Sequence, residues 1–179
     1  MNCLKTGGIT LLSVISIIIS FSVKAGEESK PGEVLPEVVF SYAHDNCSFQ
    51  YSSVDFCDIY HMNSYRDAIS DAKVNFSGRY VLLGIMEREI YHQRSLVILN
   101  PSTGMIYPFP FDSYSGPMEA DGRIESDGIL KFSLRSSEVC ITGALKVQHE
   151  IKNGLFCFTF DNGTFSGYKT QYMYLDQPN

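Results

Sequence analysis

The stretch Arg79-Tyr80-Val81-Leu82-Leu83-Gly84-Ile85-Met86, followed across the charged connection 87–93 by Arg94-Ser95-Leu96-Val97-Ile98-Leu99, decides the fold class. Both runs are apolar, rich in β-formers and too short for typical helices, so they read as strands. Asn100-Pro101-Ser102-Thr103-Gly104 supplies strong turn chemistry, and residues 105–109 resume as a strand. Two later turns repeat the pattern: Ser126-Asp127-Gly128 precedes a run at 129–134, and Asp161-Asn162-Gly163 separates 155–160 from 164–168. The expectation is a mainly β fold, an antiparallel meander forming a sandwich, an open barrel or a propeller-like sheet. The propeller form enters because 79–109 and 129–168 each hold strand, strand, turn and strand.

Upstream, Val38, Val39, Phe40 and Tyr42 read as a short strand. One helix is expected, over NSYRDAISDAK at 63–73, capped by Asn63 or Ser64 with Tyr65, Ala68, Ile69 and Ala72 on its apolar face. Three turns of helix take their stability from docking on a sheet.

Residues 1–25 have the layout of a secretory signal peptide: Lys5, then an apolar run from Leu11 to Phe21, then Val23-Lys24-Ala25 with small residues before the cleavage point. Residues 26–36 (GEESKPGEVLP) read as a flexible lead-in, and 37–179 as a single β domain. Removal of 1–25 leaves 12 basic and 20 acidic side chains, a formal charge of −8. Such a field disfavours nucleic acid and anionic lipid and favours a basic partner or plain solubility. Cys3 lies ahead of the apolar run, so no lipid anchor and no membrane anchoring after cleavage are expected.

Four cysteines follow the leader: Cys47, Cys57, Cys140 and Cys157. An even number in an exported chain predicts two disulfides. Three connectivities are possible; the local one, Cys47 with Cys57 and Cys140 with Cys157, is favoured because each partner lies in the same stretch. No CxxC, HxH or HExxH spacing supports a metal site, and no cofactor is expected.

Phe76-Ser77-Gly78-Arg79-Tyr80-Val81-Leu82, with Ser95 through Phe111 (SLVILNPSTGMIYPFPF), resembles a class of small exported bacterial proteins. These carry an F-x-G-K/R-Y-V-L strand followed by I-I-D-x-x-T-G-x-V-Y-x-L-P-F. The resemblance covers about 35 residues, with a weaker echo at 156–165. This chain departs from the class in placing Glu87-Arg88-Glu89 where members have cysteines. Periplasmic immunity proteins, which inhibit toxins that attack the cell wall, are similar in size and layout. The resemblance implies a bacterial periplasmic β domain and supplies no catalytic residue to carry over.

No nucleophile elbow, S-x-x-K or Gly-rich phosphate loop occurs. His44-Asp45 is the nearest approach to a catalytic dyad, but neighbouring side chains on an extended chain point apart. Glu87 with Glu89, and Glu119 with Asp121, are spaced for two-carboxylate glycoside chemistry, though both pairs read as solvated connections. The segment 108–122 (PFPFDSYSGPMEADG) carries Phe109, Phe111, Tyr114 and Met118 beside Asp112, Glu119 and Asp121. That is the composition of a recognition loop for a basic cleft, or alternatively of a strand edge whose phenylalanines fold into the core.

The function expected is therefore a non-enzymatic periplasmic protein that blocks a toxin or hydrolase, basic near its cleft, through Phe109, Phe111, Asp112, Tyr114, Met118, Glu119, Asp121, Glu87 and Glu89. Secretion beyond the periplasm is also open. The alternative is a ligand-binding or envelope-assembly domain, for which an apolar cavity ringed by tyrosines would speak. A glycan-cleaving enzyme is a third reading.

Overall fold

Residues 36–40, 47–71 and 73–175 are described by the computed structural model and fall within one compact unit. The leader at 1–25, His44-Asp45, Tyr42 and Ala72 lie outside the described residues. The first hairpin follows the sequence closely. β2 (Val81–Arg88) pairs antiparallel with β3 (Gln93–Asn100), and β3 pairs with β4 (Met105–Pro108) through the 100–104 turn. In that turn the Asn100 side chain accepts the Ser102 N–H while its carbonyl accepts the Gly104 N–H at 2.9 Å. β1 (Val39–Phe40) lies parallel to β4 at the sheet margin.

The second half departs from expectation. β5 (Ser113–Ser115) is a strand inside the segment 108–122; it bridges β3 and β7 (Glu138–Val147), a ten-residue strand that no turn signal announces. β6 (Ile129–Lys131) shares one edge of β7 with β5, and β8 (Glu150–Asp161) covers the other edge in full register. β9 (Thr164–Gly167) follows β8 through the Asp-Asn-Gly turn, as expected. The strand order is β1-β4-β3-β5-β7-β8-β9, with β2 on β3 and β6 on β7. The result is one open, mainly antiparallel sheet, neither a closed barrel nor a pair of propeller blades. Its curl is read from the rings: Tyr107 of β4 lies 4.9 Å from Phe160 of β8, four strands away in the order.

Curling divides the interior in two. The concave face holds an aromatic core of Phe76, Tyr80, Leu82, Leu96, Ile98, Phe109, Phe111, Tyr114 and the inward residues of β7 and β8. The opposite face of β2, β3 and β4 presents Val81, Ile85, Val97, Leu99 and Ile106 to a helix, α1 (Ile59–Asp71). The alternation expected of strands thus buries β3 on both faces. Helix α1 begins four residues before the expected start, because Asp58 rather than Asn63 or Ser64 caps it, accepting the His61 N–H at 2.8 Å. Tyr65 and Ile69 are buried as expected and Ala68 is half-buried.

Both local disulfides are present, Cys47–Cys57 and Cys140–Cys157, and they fit an exported, oxidising compartment. The first closes a loop that delivers Phe49, Val54 and Phe56 beneath α1. Phe49 stacks on Tyr172 of a one-turn C-terminal helix, α2 (Tyr172–Leu175), at 4.6 Å. The second joins residues directly opposite one another on β7 and β8.

Candidate functional site

Of the two readings of 108–122, the structure matches the strand edge whose phenylalanines fold into the core and not the exposed recognition loop. Phe109 and Phe111 are fully buried, their rings 5.6 Å from that of Phe158, and Phe109 also packs on Phe165 at 4.6 Å. Tyr114 is buried on β5, and burial pushes its hydroxyl up to about 12. Asp112 is wholly buried; its Oδ1 accepts the hydroxyls of Ser52 and Tyr172, tying the disulfide loop and α2 to the sheet. Aromatic area dominates over local polarity here: the three rings of Phe109, Phe111 and Tyr114 enter the concave face, and Asp112 follows them with the Ser52 and Tyr172 hydroxyls on its Oδ1. These four residues are therefore removed from the partner-binding set.

Met118, Glu119 and Asp121 stay at the surface, on a small turn held by the Asn153 carboxamide, which bonds the Met118 N–H and carbonyl at 2.8 and 2.7 Å. Asp121 is paired with Arg123 at 2.6 Å, and Arg123 also meets Glu125 at 2.9 Å. Much of the acidity expected on this turn is answered locally.

The two remaining acids separate. Glu87 belongs to β2, not to a connection, and it sits at a bulge, since Met86 pairs with Arg94 while Arg88 pairs with Gln93. A bulge re-aims a side chain, and Glu87 turns toward α1. His61, only 2% exposed, lies between Glu87 and Asp58: Nε2 is 2.8 Å from Glu87 Oε1 and Nδ1 is 2.8 Å from Asp58 Oδ1. Glu89 is exposed in the 3-10 turn Glu89–Tyr91 and shares no cleft with Glu87. No spacing could have announced this cluster, because the partners lie 26 residues apart; the one local signal is the Asp58-x-x-His61 helix start.

Burial works against the His61 cation, but hydrogen bonds to Glu87 and then Asp58 outweigh it, so the pKa of His61 is raised. Burial likewise works against the Asp58 carboxylate, and the His61 N–H and imidazole outweigh it, so its pKa is lowered. Tyr65, buried on the next turn of α1, is pushed up by burial and by Glu87, Asp58 and Asp55, and Tyr60 meets the imidazole edge-on at 5.8 Å. Both ring nitrogens are engaged by carboxylates, an arrangement that favours the protonated imidazole. The cluster's structural work is to pin the start of α1 to the end of β2.

That pin brings two exposed apolar pairs to one end of the domain. Ile59 (81% exposed) and Tyr60 open α1, while Ile90 (85% exposed) and Tyr91 cap the β2–β3 hairpin. Asp55, Asp58 and Glu89 are exposed among them, with Arg88 the exposed basic side chain of the hairpin end. No protein-family model, curated protein or solved structure matches this chain. The surface is therefore read from its own residues.

The sign of the pH dependence follows from the two shifts. The stability His61 contributes is complete below its ordinary value of ~6.5 and is lost as pH rises through its higher folded value. That of Asp58 is complete above ~3.9 and is lost as pH falls through its lower folded value. Urea midpoints are thus expected to plateau between these limits, and His61→Leu is expected to cost about 1–3 kcal/mol at pH 6 and to flatten the alkaline limb. An alkaline limb of unchanged slope in the variant would contradict this assignment.

Proposed function

We propose that this chain is an exported inhibitor, most specifically a periplasmic immunity protein, that binds a toxin or hydrolase and occludes its active site. One observation carries the reading: Ile59, Tyr60, Ile90 and Tyr91 stand exposed at one end of the domain among Asp55, Asp58 and Glu89. Exposed aliphatic and aromatic side chains within a polar, charged rim are the anatomy of a protein-binding patch. The acids would speed encounter with a basic cleft, and the His61 clamp supports a rigid presentation that needs little ordering on binding. The hairpin end replaces the 108–122 segment as the contact. Two disulfides support export, and the leader-like residues 1–25 support the same address.

A ligand-binding domain calls for an enclosed cavity of several hundred Å³. Among the described residues, one cavity holds about 60 Å³, and another, about 430 Å³, is an open trough with Asp67, Asp71 and Lys73 on its wall. The inhibitor reading is accordingly preferred.

The test uses the oxidised protein against purified hydrolases and toxins encoded beside its gene, with Ile90→Asp, Tyr91→Asp as the disabled double variant. Wild-type inhibition of one basic enzyme, weakened at least about 100-fold in the variant (~2.7 kcal/mol), is the expected result. Inhibition that survives in the variant would place the contact elsewhere, and an absence of inhibition across the panel would remove the reading.

A further inference from the structure

Strand β2 lies at a margin of the sheet, paired on one side with β3. Its outer side is closed at one point by a side chain that imitates a strand: Asn75 Oδ1 accepts the Leu82 N–H at 2.7 Å, and Asn75 Nδ2 donates to the Leu82 carbonyl at 3.1 Å. Both backbone groups of Leu82 therefore point outward. By the alternation of an antiparallel ladder, those of Gly84 and Met86 point outward too. Among the described residues nothing pairs with them. The stretch ends at Glu87, where the bulge turns toward His61. The margin thus keeps one open window of two consecutive rungs between a plug and a bulge.

At the plugged rung, one rung along β2 from the window, a trough lies between α1 and the sheet, lined by Asn75 and residues 81–83. Helix α1 runs back along β2, with His61 beside Glu87 at one end and the helix's last turn beside residues 81–83 at the other. Ala68, Val81 and Leu83 give this trough of about 430 Å³ its apolar lining, and Ser64, Asp67 and Asp71 stand along the helix at three-and-four spacing. Lys73 answers Asp71 at 3.4 Å, while Asp67 has no basic partner among the described residues. The chain as a whole carries a formal charge of −6.

We propose that the open window of β2 pairs with an extended, lysine- or arginine-bearing segment of a partner protein, which adds to the sheet as a further strand at Gly84 and Met86 and turns its cations toward the neighbouring acids of α1. Main-chain hydrogen bonds to the two open rungs would supply register. Asp67 would select a cation on a side chain facing the helix, and the thioether of half-buried Met86 adapts to neighbours of varied shape. An acidic segment would meet repulsion in the same place. This inference goes beyond the inhibitor reading and stands without it.

The probe is an alternating lysine–valine heptapeptide, with a glutamate–valine peptide of equal length as its counterpart, read by amide exchange in the oxidised protein. Saturation with the lysine peptide is expected to slow exchange at Gly84 and Met86 at least about tenfold, a factor worth ~1.4 kcal/mol, and the glutamate peptide is expected to leave both unchanged. Met86→Pro removes an N–H that β3 does not use, a substitution sheet margins tolerate, and is expected to abolish the protection. Asp67→Lys, on the exposed face of α1, is expected to reverse the preference between the two peptides whether or not the proline variant folds. Free-rate exchange at Gly84 and Met86 under saturating lysine peptide, equal binding of both peptides, or no binding would each overturn the proposal. The Ile90→Asp, Tyr91→Asp variant should bind the lysine peptide as the wild type does, which separates this outcome from that of the inhibitor test.

Discussion

Phe111→Ala is expected to lower the free energy of unfolding by about 3–5 kcal/mol, a large share of the ~5–15 kcal/mol that holds an ordinary domain together. Its ring is fully buried, 5.6 Å from both Phe109 and Phe158 and 6.4 Å from Tyr114. Tyr114 is held on β5 and Phe158 on β8, which limits collapse into the vacated volume. The adjacent backbone is held as well, since the Asp112 N–H donates to the Lys146 carbonyl on β7 at 2.9 Å. Urea denaturation of the oxidised protein measures the loss directly. A variant with an unshifted midpoint would return residue 111 to the surface and restore the segment as a contact loop.

The second large effect is expected at Gly143→Ala, at least about 3 kcal/mol. Gly143 lies where β7 passes from pairing with β6 at residues 140–142 to pairing with β5 at 144–146. Its φ is +144°, and a Cβ built there would collide with the Ser115 carbonyl oxygen and stand 3.3 Å from Gly116 Cα. Relief requires moving β5 away from β7, which also disturbs Tyr114 in the aromatic core. Gly122→Ala is the control: φ there is +84°, but nothing lies within 4 Å of the added Cβ, so about 1 kcal/mol is expected. Equal losses at the two positions would show that backbone conformation, not the Ser115 approach, sets the cost.

The contrast between strands that were legible and strands that were not has a physical basis. β2, β3 and β4 announce themselves because apolar runs flank a turn built by Asn100 and Gly104. β7 is hidden because its hairpin turns at Gln148-His149 with Gln148 at φ +55° and no glycine, while the one Asn-Gly nearby, Asn153-Gly154, lies inside β8. β5 is hidden because Ser-Tyr-Ser shows no alternation of polarity; its serines are buried by their place in the middle of the sheet, not by their chemistry. The start of α1 escapes notice since Ile59 and Tyr60, apolar yet exposed, contradict an amphipathic pattern. At the candidate site the acids were visible as acids, but the pairing of Glu87 with His61 exists only once α1 lies across β2.

The Cys140–Cys157 bridge also bears on how the chain reaches its native state. The two residues face each other directly in a ladder that runs from Glu138 opposite Thr159 to Val147 opposite Glu150. A hairpin misaligned by one residue would turn the two sulfurs to opposite faces of the sheet, and one misaligned by two would carry their Cα atoms to the limit of what a disulfide spans. Oxidation therefore acts as proofreading: it makes permanent the alignment that sends Val139, Ile141, Phe156 and Phe158 inward together, and it leaves misaligned hairpins open to try again.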